Sequence, residues 1–329
     1  MPFADIVGHE RQLASLRLAL ATGRLHHAYA FTGPEGVGKK TVALALAKTL
    51  HCSEAKHDFC GRCANCVKID NHNHPDVRVV SLLPKKNDIS IEQVRVLDKE
   101  LSYRAFSGGK KVAVIDPAPL MNPAAQNALL KTLEEPPAGS LLILIAAGAG
   151  GLLPTLLSRC LRLSFAPLPA RVVADYLISR QAMAAEPAAL VAAASLGSLG
   201  RARSSDLAEL AEKRKAWVAA IGNLAQGGYG ARAALAEGLG KEREDAFEFL
   251  EWLRSWCRDL LIFRATGSER DICNLDAAQT IRRQSQNARV EGLLALWASM
   301  AVTEGRIRRN VNRRLALEDL LARVAGVTS

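Results

Sequence analysis

A chain of 329 residues is too long for one compact core, so two or three domains are expected. Its 49% hydrophobic and 23% charged residues exclude a disordered polypeptide, and the Ala- and Leu-rich second half favours helix over sheet. A net charge of +10 with a pI near 9.4 attracts polyanions, nucleic acid first, but suits an acidic membrane surface or partner equally, so it marks a tendency and not a site.

Met1 to Glu10 is short of apolar residues and carries Asp5 and Glu10, so no secretory signal is read and a cytoplasmic location is expected. Leu13 to Leu20 reads as a helix, and Ala28 to Thr32 as a short strand that ends in a Gly-rich turn. Thr41 to Leu50 is helical. Beyond a Cys-rich insertion come a strand (Val77 to Leu82), a helix (Ile91 to Leu101) and a strand (Val112 to Ile115). Asn122 to Glu134 is a helix, with Asn122 as N-cap and Pro123 at its first position. Leu141 to Ala146 and Leu161 to Phe165 are the last strands. The uncharged stretch from Pro136 to Ser158 has the length of a membrane span, but its prolines and glycines (Pro136, Pro137, Gly139, Gly148, Gly150, Gly151, Pro154) reduce it to a buried strand and a loop. Short apolar strands alternating with helices predict an α/β domain with a parallel sheet covered on both faces. From Pro167 onward no strand is expected. Arg171 to Leu196 reads as small helices, and from Ser204 the chain reads as long amphipathic helices broken around Gly222 to Gly230, at Gly238 to Gly240 and near Gly267.

Gly33-Pro34-Glu35-Gly36-Val37-Gly38-Lys39-Lys40-Thr41 lies between a predicted strand and a predicted helix, the context a phosphate-binding loop needs. Glycines let backbone N–H groups turn toward an anion, Lys39 supplies charge, and the helix N-terminus adds its dipole. The next position calls for Ser or Thr to hold magnesium, yet Lys40 stands there. Thr41 follows one residue late, about 100° further round the helix. Two readings stay open: a degenerate ATP or ADP site with crippled metal binding, or a Gly-rich turn without a ligand. Asp116, ending Val112 to Ile115, is the acidic residue of such a site. A hydrolase needs a second carboxylate beside it to polarise water, and here Pro117-Ala118-Pro119 follows. The next strand should end in a polar residue, yet it ends Ala146-Ala147-Gly148. Three catalytic parts are missing, so no intrinsic ATP hydrolysis is expected.

Cys52, Cys60, Cys63 and Cys66 have the spacing C-x7-C-x2-C-x2-C, which can close a thiolate tetrahedron around zinc. A ferredoxin-type iron–sulfur site would want a further Cys-Pro downstream, which is absent. Reduced structural cysteines are the other alternative. A closed four-thiolate site leaves no position for water, so its role is structural. His51, His57, His72 and His74 lie nearby and could replace a ligand, but each is read as a surface residue, and Cys160, Cys257 and Cys273 as isolated thiols.

These elements in this order resemble the bacterial clamp-loader subunits of the delta-prime type, a branch of the AAA+ proteins. The resemblance spans the chain and is most specific from 5 to 165. It is carried by Asp5-Ile6-Val7-Gly8, by His27 to Pro34, by the four cysteines and by Ile89 to Arg95. Asn127 to Pro137, Ser158-Arg159-Cys160 and, near the C-terminus, Asn310 to Glu318 complete it. It implies an AAA+ domain with an inserted zinc module (1–166), a helical lid (167–206) and an all-helical collar (207–329) that joins five subunits in a ring. It implies motor (tau/gamma) and delta subunits as partners, with the sliding clamp and primed DNA reached through the complex and no membrane. It places Arg159 at a subunit boundary, as an arginine finger for the neighbour's nucleotide. Lys40, Pro117 and Ala146–Ala147 separate the chain from the motor subunits, and in the lid Gly200 stands where a motor's arginine is expected, with Arg201 one residue late.

Two other functions compete: an active ATP-hydrolysing motor, and a zinc-dependent DNA-binding module that uses the basic charge. The C-terminal run Arg306, Arg308, Arg309, Arg313 and Arg314 could track phosphates, but lies on a helix whose Leu315, Leu320 and Leu321 are expected to pack inward. Trp252 and Trp256, four apart on a helix, read as core or interface contacts.

Overall fold

The computed structural model describes residues 3–84, 86–106, 109–148, 150–203, 207–224 and 227–328. The chain divides into two compact units, Met1–Pro167 and Leu168–Ser329. Apart from Pro167, the residues expected as lid and as collar both belong to the second unit, and their expected boundary at 206 lies outside the described residues.

Unit 1 runs α1 (Glu10–Ala21), β1 (Ala28–Thr32), α2 (Lys39–His51), α3 (Ala64–Asp70), β2 (Val77–Val80), α4 (Ile91–Ser102), β3 (Lys111–Ile115), α5 (Pro123–Glu134), β4 (Ser140–Ala146), α6 (Pro154–Leu157) and β5 (Leu161–Ser164). The five strands form one parallel sheet in the order β2-β3-β4-β1-β5. The period of two along each strand sorts its side chains into two cores. Tyr29, Phe31, Val112, Val114, Leu141, Ile143 and Ile145 face α1, α2 and α3. Ala28, Ala30, Ala113, Ile115, Leu142, Leu144 and Ala146 face α4, α5 and α6. Strands buried on both faces need continuous apolar runs, which is why β3 and β4 read as strands without alternation. Asn122 caps α5 as expected, its side chain accepting from Ala125 N at 2.8 Å, with Pro123 in the first turn.

Unit 2 holds α7 (Ala170–Gln181), α8 (Ala185–Ala194), α9 (Leu207–Asn223), α10 (Gly228–Leu239), α11 (Arg243–Thr266), α12 (Ala278–Asn287), α13 (Val290–Arg308) and α14 (Arg313–Thr328). No strand occurs among its described residues. Trp252 and Trp256 are buried in its core, the Trp252 ring 5.5 Å from both Trp217 and Trp256. On α14 the inward positions are Leu317, Leu320, Leu321 and Val324, spaced for one helical face. Leu315 corrects the expectation. It is 61% exposed, because two residues before Leu317 is the opposite side of a helix.

The basic run is committed inside the unit. Arg306 pairs with Asp319 at 3.2 Å, Arg308 with Glu304 at 2.7 Å and Arg314 with Glu318 at 2.9 Å. Arg309 bonds the Gly305 carbonyl, and Arg313 the carbonyls of Gly240 and Lys241. Sequence reading also missed a buried polar network. The Arg214 guanidinium bonds both Asp276 oxygens at 2.5 Å and the side chain of Asn274, and Asn274 in turn bonds the fully buried Asp259. No helix of the described residues is long and apolar enough to cross a membrane.

Candidate functional site

Parallel register brings the C-terminal ends of β1, β3 and β4 to one edge of the sheet, with Thr32 beside Ala146 and Ile115 beside Leu144. Gly33 to Gly38 leave this edge and enter α2, and Asp116 follows β3 there. Gly33, Gly36 and Gly38 have φ of 148°, 73° and 111°, a region closed to most side chains. Gly33 is further constrained: a Cβ there would stand 2.0 Å from the carbonyl oxygen of Phe165, whose N–H bonds Thr32 O. This glycine therefore answers to the neighbouring strand end as well as to any anion. Gly33→Ala should destabilise unit 1 by roughly 3 kcal/mol through strain and overlap, whereas Gly23→Ala (φ 67°, open space) should cost about 1 kcal/mol. Urea unfolding midpoints compare the two.

The cleft's charges face one another. Lys39 is buried, its Nζ donating to the carbonyls of Gly33 and Pro34 at 2.5 Å each. Lys40 Nζ lies 3.7 Å from Asp116 Oδ2. Burial raises the Asp116 pKa, and the two lysines oppose that rise. Thr41, one residue further round the helix, is exposed. The residue after Lys39 thus carries an ammonium that faces the Asp116 carboxylate. Pro117 follows Asp116, and β4 ends in the buried Ala146, so neither brings a polar side chain to the edge. Sequence reading passed over His9, whose Nε2 is 2.8 Å from Val37 O beneath the loop. Burial holds its pKa below 6.5, and the neutral ring braces the loop by donating Nε2–H to that carbonyl.

Arg159 lies just beyond α6 with a third of its side chain exposed. Its Nη2 pairs with Glu134 Oε1 at 2.7 Å, and Nη1 donates to Thr155 O at 2.9 Å. In unit 2, Arg201 lies in a short 3-10 turn and pairs with Glu251, while Gly200 is exposed.

The four cysteines converge, every sulfur within 4.8 Å of the others, and can hold a metal ion. Sulfurs around zinc stand about 3.8 Å apart for bonds near 2.3 Å, so the group fits with small adjustment. N–H donors already point at them: Ala55 and Cys60 to Cys52 Sγ at 3.4 and 3.3 Å, and Cys63 to Cys60 Sγ at 3.2 Å. Burial opposes ionisation of Cys63, yet hydrogen bonds from Cys66 and Ser53 draw its thiol down to about 6, while burial pushes Cys66 up to about 12. Such a mixed set is what a metal cation resolves by ionising every thiol.

Two of the nearby histidines are not on the surface. His51 and His74 are 6% and 3% exposed, their rings 4.5 Å apart beside the buried Asp76. His51 is the last residue of α2 and His74 lies in the loop before β2, and their rings pack on each other. This trio is a poorer metal site than the thiols. Asp76 N donates to His74 Nδ1, which leaves the ring proton on Nε2, and the Asp76 carboxylate already faces Lys111 at 3.9 Å and accepts from Phe106 N. His57 and His72 are exposed.

The family description "DNA polymerase III, delta subunit" matches residues 8–169, and "DNA polymerase III, delta subunit, C terminal" matches 208–325. The Pseudomonas aeruginosa DNA polymerase III subunit delta' is 31% identical, over 93% of this chain and 94% of that protein. The chain belongs to the delta-prime family. The Bacillus subtilis delta-prime subunit is 38% identical over 52% of this chain and 51% of its own length. The Escherichia coli tau subunit is 36% identical over 61% of this chain, which spans 32% of it. The Pseudomonas aeruginosa relative thus matches over nearly the whole of both chains, whereas the Bacillus subtilis and tau relatives match about half to three fifths of this one. The expected α/β class, a parallel sheet domain followed by an all-helical part, agrees with the observed sheet and helices.

Proposed function

We propose that this chain is the stator of a bacterial clamp loader: an AAA+ subunit that hydrolyses no ATP itself, lends Arg159 to the motor subunit beside it, and helps load the sliding clamp on primed DNA. The observation that carries the first half is the Lys40–Asp116 pair at 3.7 Å. Phosphoryl transfer needs a metal bridging the phosphates and a polarised water, and here an ammonium, not a hydroxyl, stands beside the carboxylate that would serve the metal. ATP or ADP bound to Gly33, Gly36, Gly38, Lys39, Lys40, Thr41 and Asp116 would be held and not turned over. The second half is supported by the partly exposed guanidinium of Arg159, which can give a neighbouring triphosphate a fixed charge and paired N–H donors.

Zinc on Cys52, Cys60, Cys63 and Cys66 is structural in this reading, and the protein works in the cytoplasm. Residues 167–206 act as lid and 207–329 as collar, in a ring with motor (tau/gamma) and delta subunits. On α13, Val290, Leu294 and Trp297 are 42%, 56% and 43% exposed along one helical face, an apolar stripe suited to a neighbouring collar helix. A zinc-dependent DNA-binding module would instead show as tight, strongly salt-dependent DNA binding by the chain alone.

ATP turnover tests the proposal. The purified chain should be silent, and adding it to motor and delta subunits should raise their turnover. Brisk hydrolysis by the chain alone would reinstate the motor reading.

A further inference from the structure

Arg159 is steered by a second helix. Its own segment supplies Thr155 O and Ser158 Oγ to Nη1 at 2.9 and 3.4 Å, but the Nη2 partner, Glu134, is the last residue of α5. That helix end is firm: Leu133 is 3% exposed, and its carbonyl lies 3.1 Å from His27 Nε2 at the start of β1. The guanidinium is thus clamped between its own turn and a fixed point on the sheet's helical cover.

Stability does not explain the carboxylate. At a helix C-terminus a negative charge opposes the macrodipole, and Glu135 adds a second one. An ion pair with side chains 36% and 52% exposed is screened by water and contributes little to folding. What the pair does is restrict a long side chain that would otherwise sample many rotamers on the end of a four-residue helix.

We propose that Glu134 is a positioning residue for Arg159, fixing the direction in which the guanidinium is presented to the neighbour's phosphates. This rests on the reading of Arg159 as a finger in trans. An arginine with ordered partners loses less freedom when it docks, and because its planar fork must meet the phosphoryl oxygens at a set angle, a misdirected one loses rate rather than ATP affinity.

The test uses the full chain reconstituted with motor and delta subunits. Glu134→Ala and Glu134→Gln are each made in the wild-type and Arg159→Ala backgrounds. Glu134→Ala should lower kcat at the boundary site about tenfold with KM for ATP unchanged, a loss typical of orientation. Glu134→Gln should keep most of the rate, since its amide oxygen still accepts from Nη2. In the Arg159→Ala background Glu134→Ala should add nothing, because the residue acts only through the guanidinium. Melting temperature and ring assembly should match the wild type. The proposal is overturned if Glu134→Ala leaves kcat unchanged or raises it, or if it lowers kcat equally without Arg159. If Arg159→Ala itself costs nothing, the finger reading falls, and this proposal with it. Loss with Arg159→Ala but none with Glu134→Ala overturns the positioning role alone.

Discussion

In the proposed ring, Arg159→Ala should lower ATP turnover at the motor site facing this chain by roughly 10³-fold or more, the scale of arginine fingers in related NTPases. Measured on a whole ring, the fall equals that site's share of turnover when the sites act independently, and is larger when they are coupled. The chain itself should fold unchanged, because the substitution removes only a half-exposed ion pair with Glu134 and two hydrogen bonds within its own turn. Arg159→Lys should recover little, since an ammonium keeps the charge but not the planar pair of donors. Single-turnover hydrolysis by the mixture, with each variant at equal assembly, is the measurement. Wild-type rates with Arg159→Ala would remove this residue from the chemistry.

The second large effect concerns the thiols. The purified chain should carry one zinc, and Cys66→Ser should lose it. Cys66 is fully buried, and Phe59 and Ile69 beside it are 4% and 1% exposed within the core that faces α2. Structural zinc supplies on the order of 10 kcal/mol or more to small zinc-finger peptides, so without it the segment from Cys52 to Asp70 should lose its order. Releasing two buried apolar side chains costs unit 1 about 1.5–3 kcal/mol each. Hydrogen exchange after chelation should speed up across 52–70 and leave β1, β3 and β4 protected. A metal-free chain with that segment equally protected would mean the thiols need no ion.

Much of this was legible in the sequence, for physical reasons that also mark where legibility stops. Strands buried on both faces announce themselves as apolar runs, and β1 runs from Ala28 to Thr32 as expected. Asn122 and Pro123 mark a helix start because cap chemistry is local. The cysteine spacing is local too. Depth is not local. His51 and His74 look like surface residues beside a polar insertion, and only the tertiary approach of the end of α2 to the loop before β2 brings their buried rings together. Leu315 failed for a related reason, because Leu317 and not Leu315 sets the phase of α14. The partners of Arg159 and Arg214 lie 25 and 62 residues away, distances over which a single sequence carries no pairing signal. His9 left no trace at all, since its bond to Val37 closes a loop of 28 residues.

The crowding of Gly33 against Phe165 bears on what such a loop can be taken to mean. A side chain there would collide with a backbone oxygen whether or not a nucleotide ever enters, so the residue would be retained by a protein that had given up ATP altogether. Gly33 therefore testifies to architecture, and the occupant of the position after Lys39 testifies to chemistry. In this chain the two witnesses disagree, and it is the second that says how the subunit earns its place.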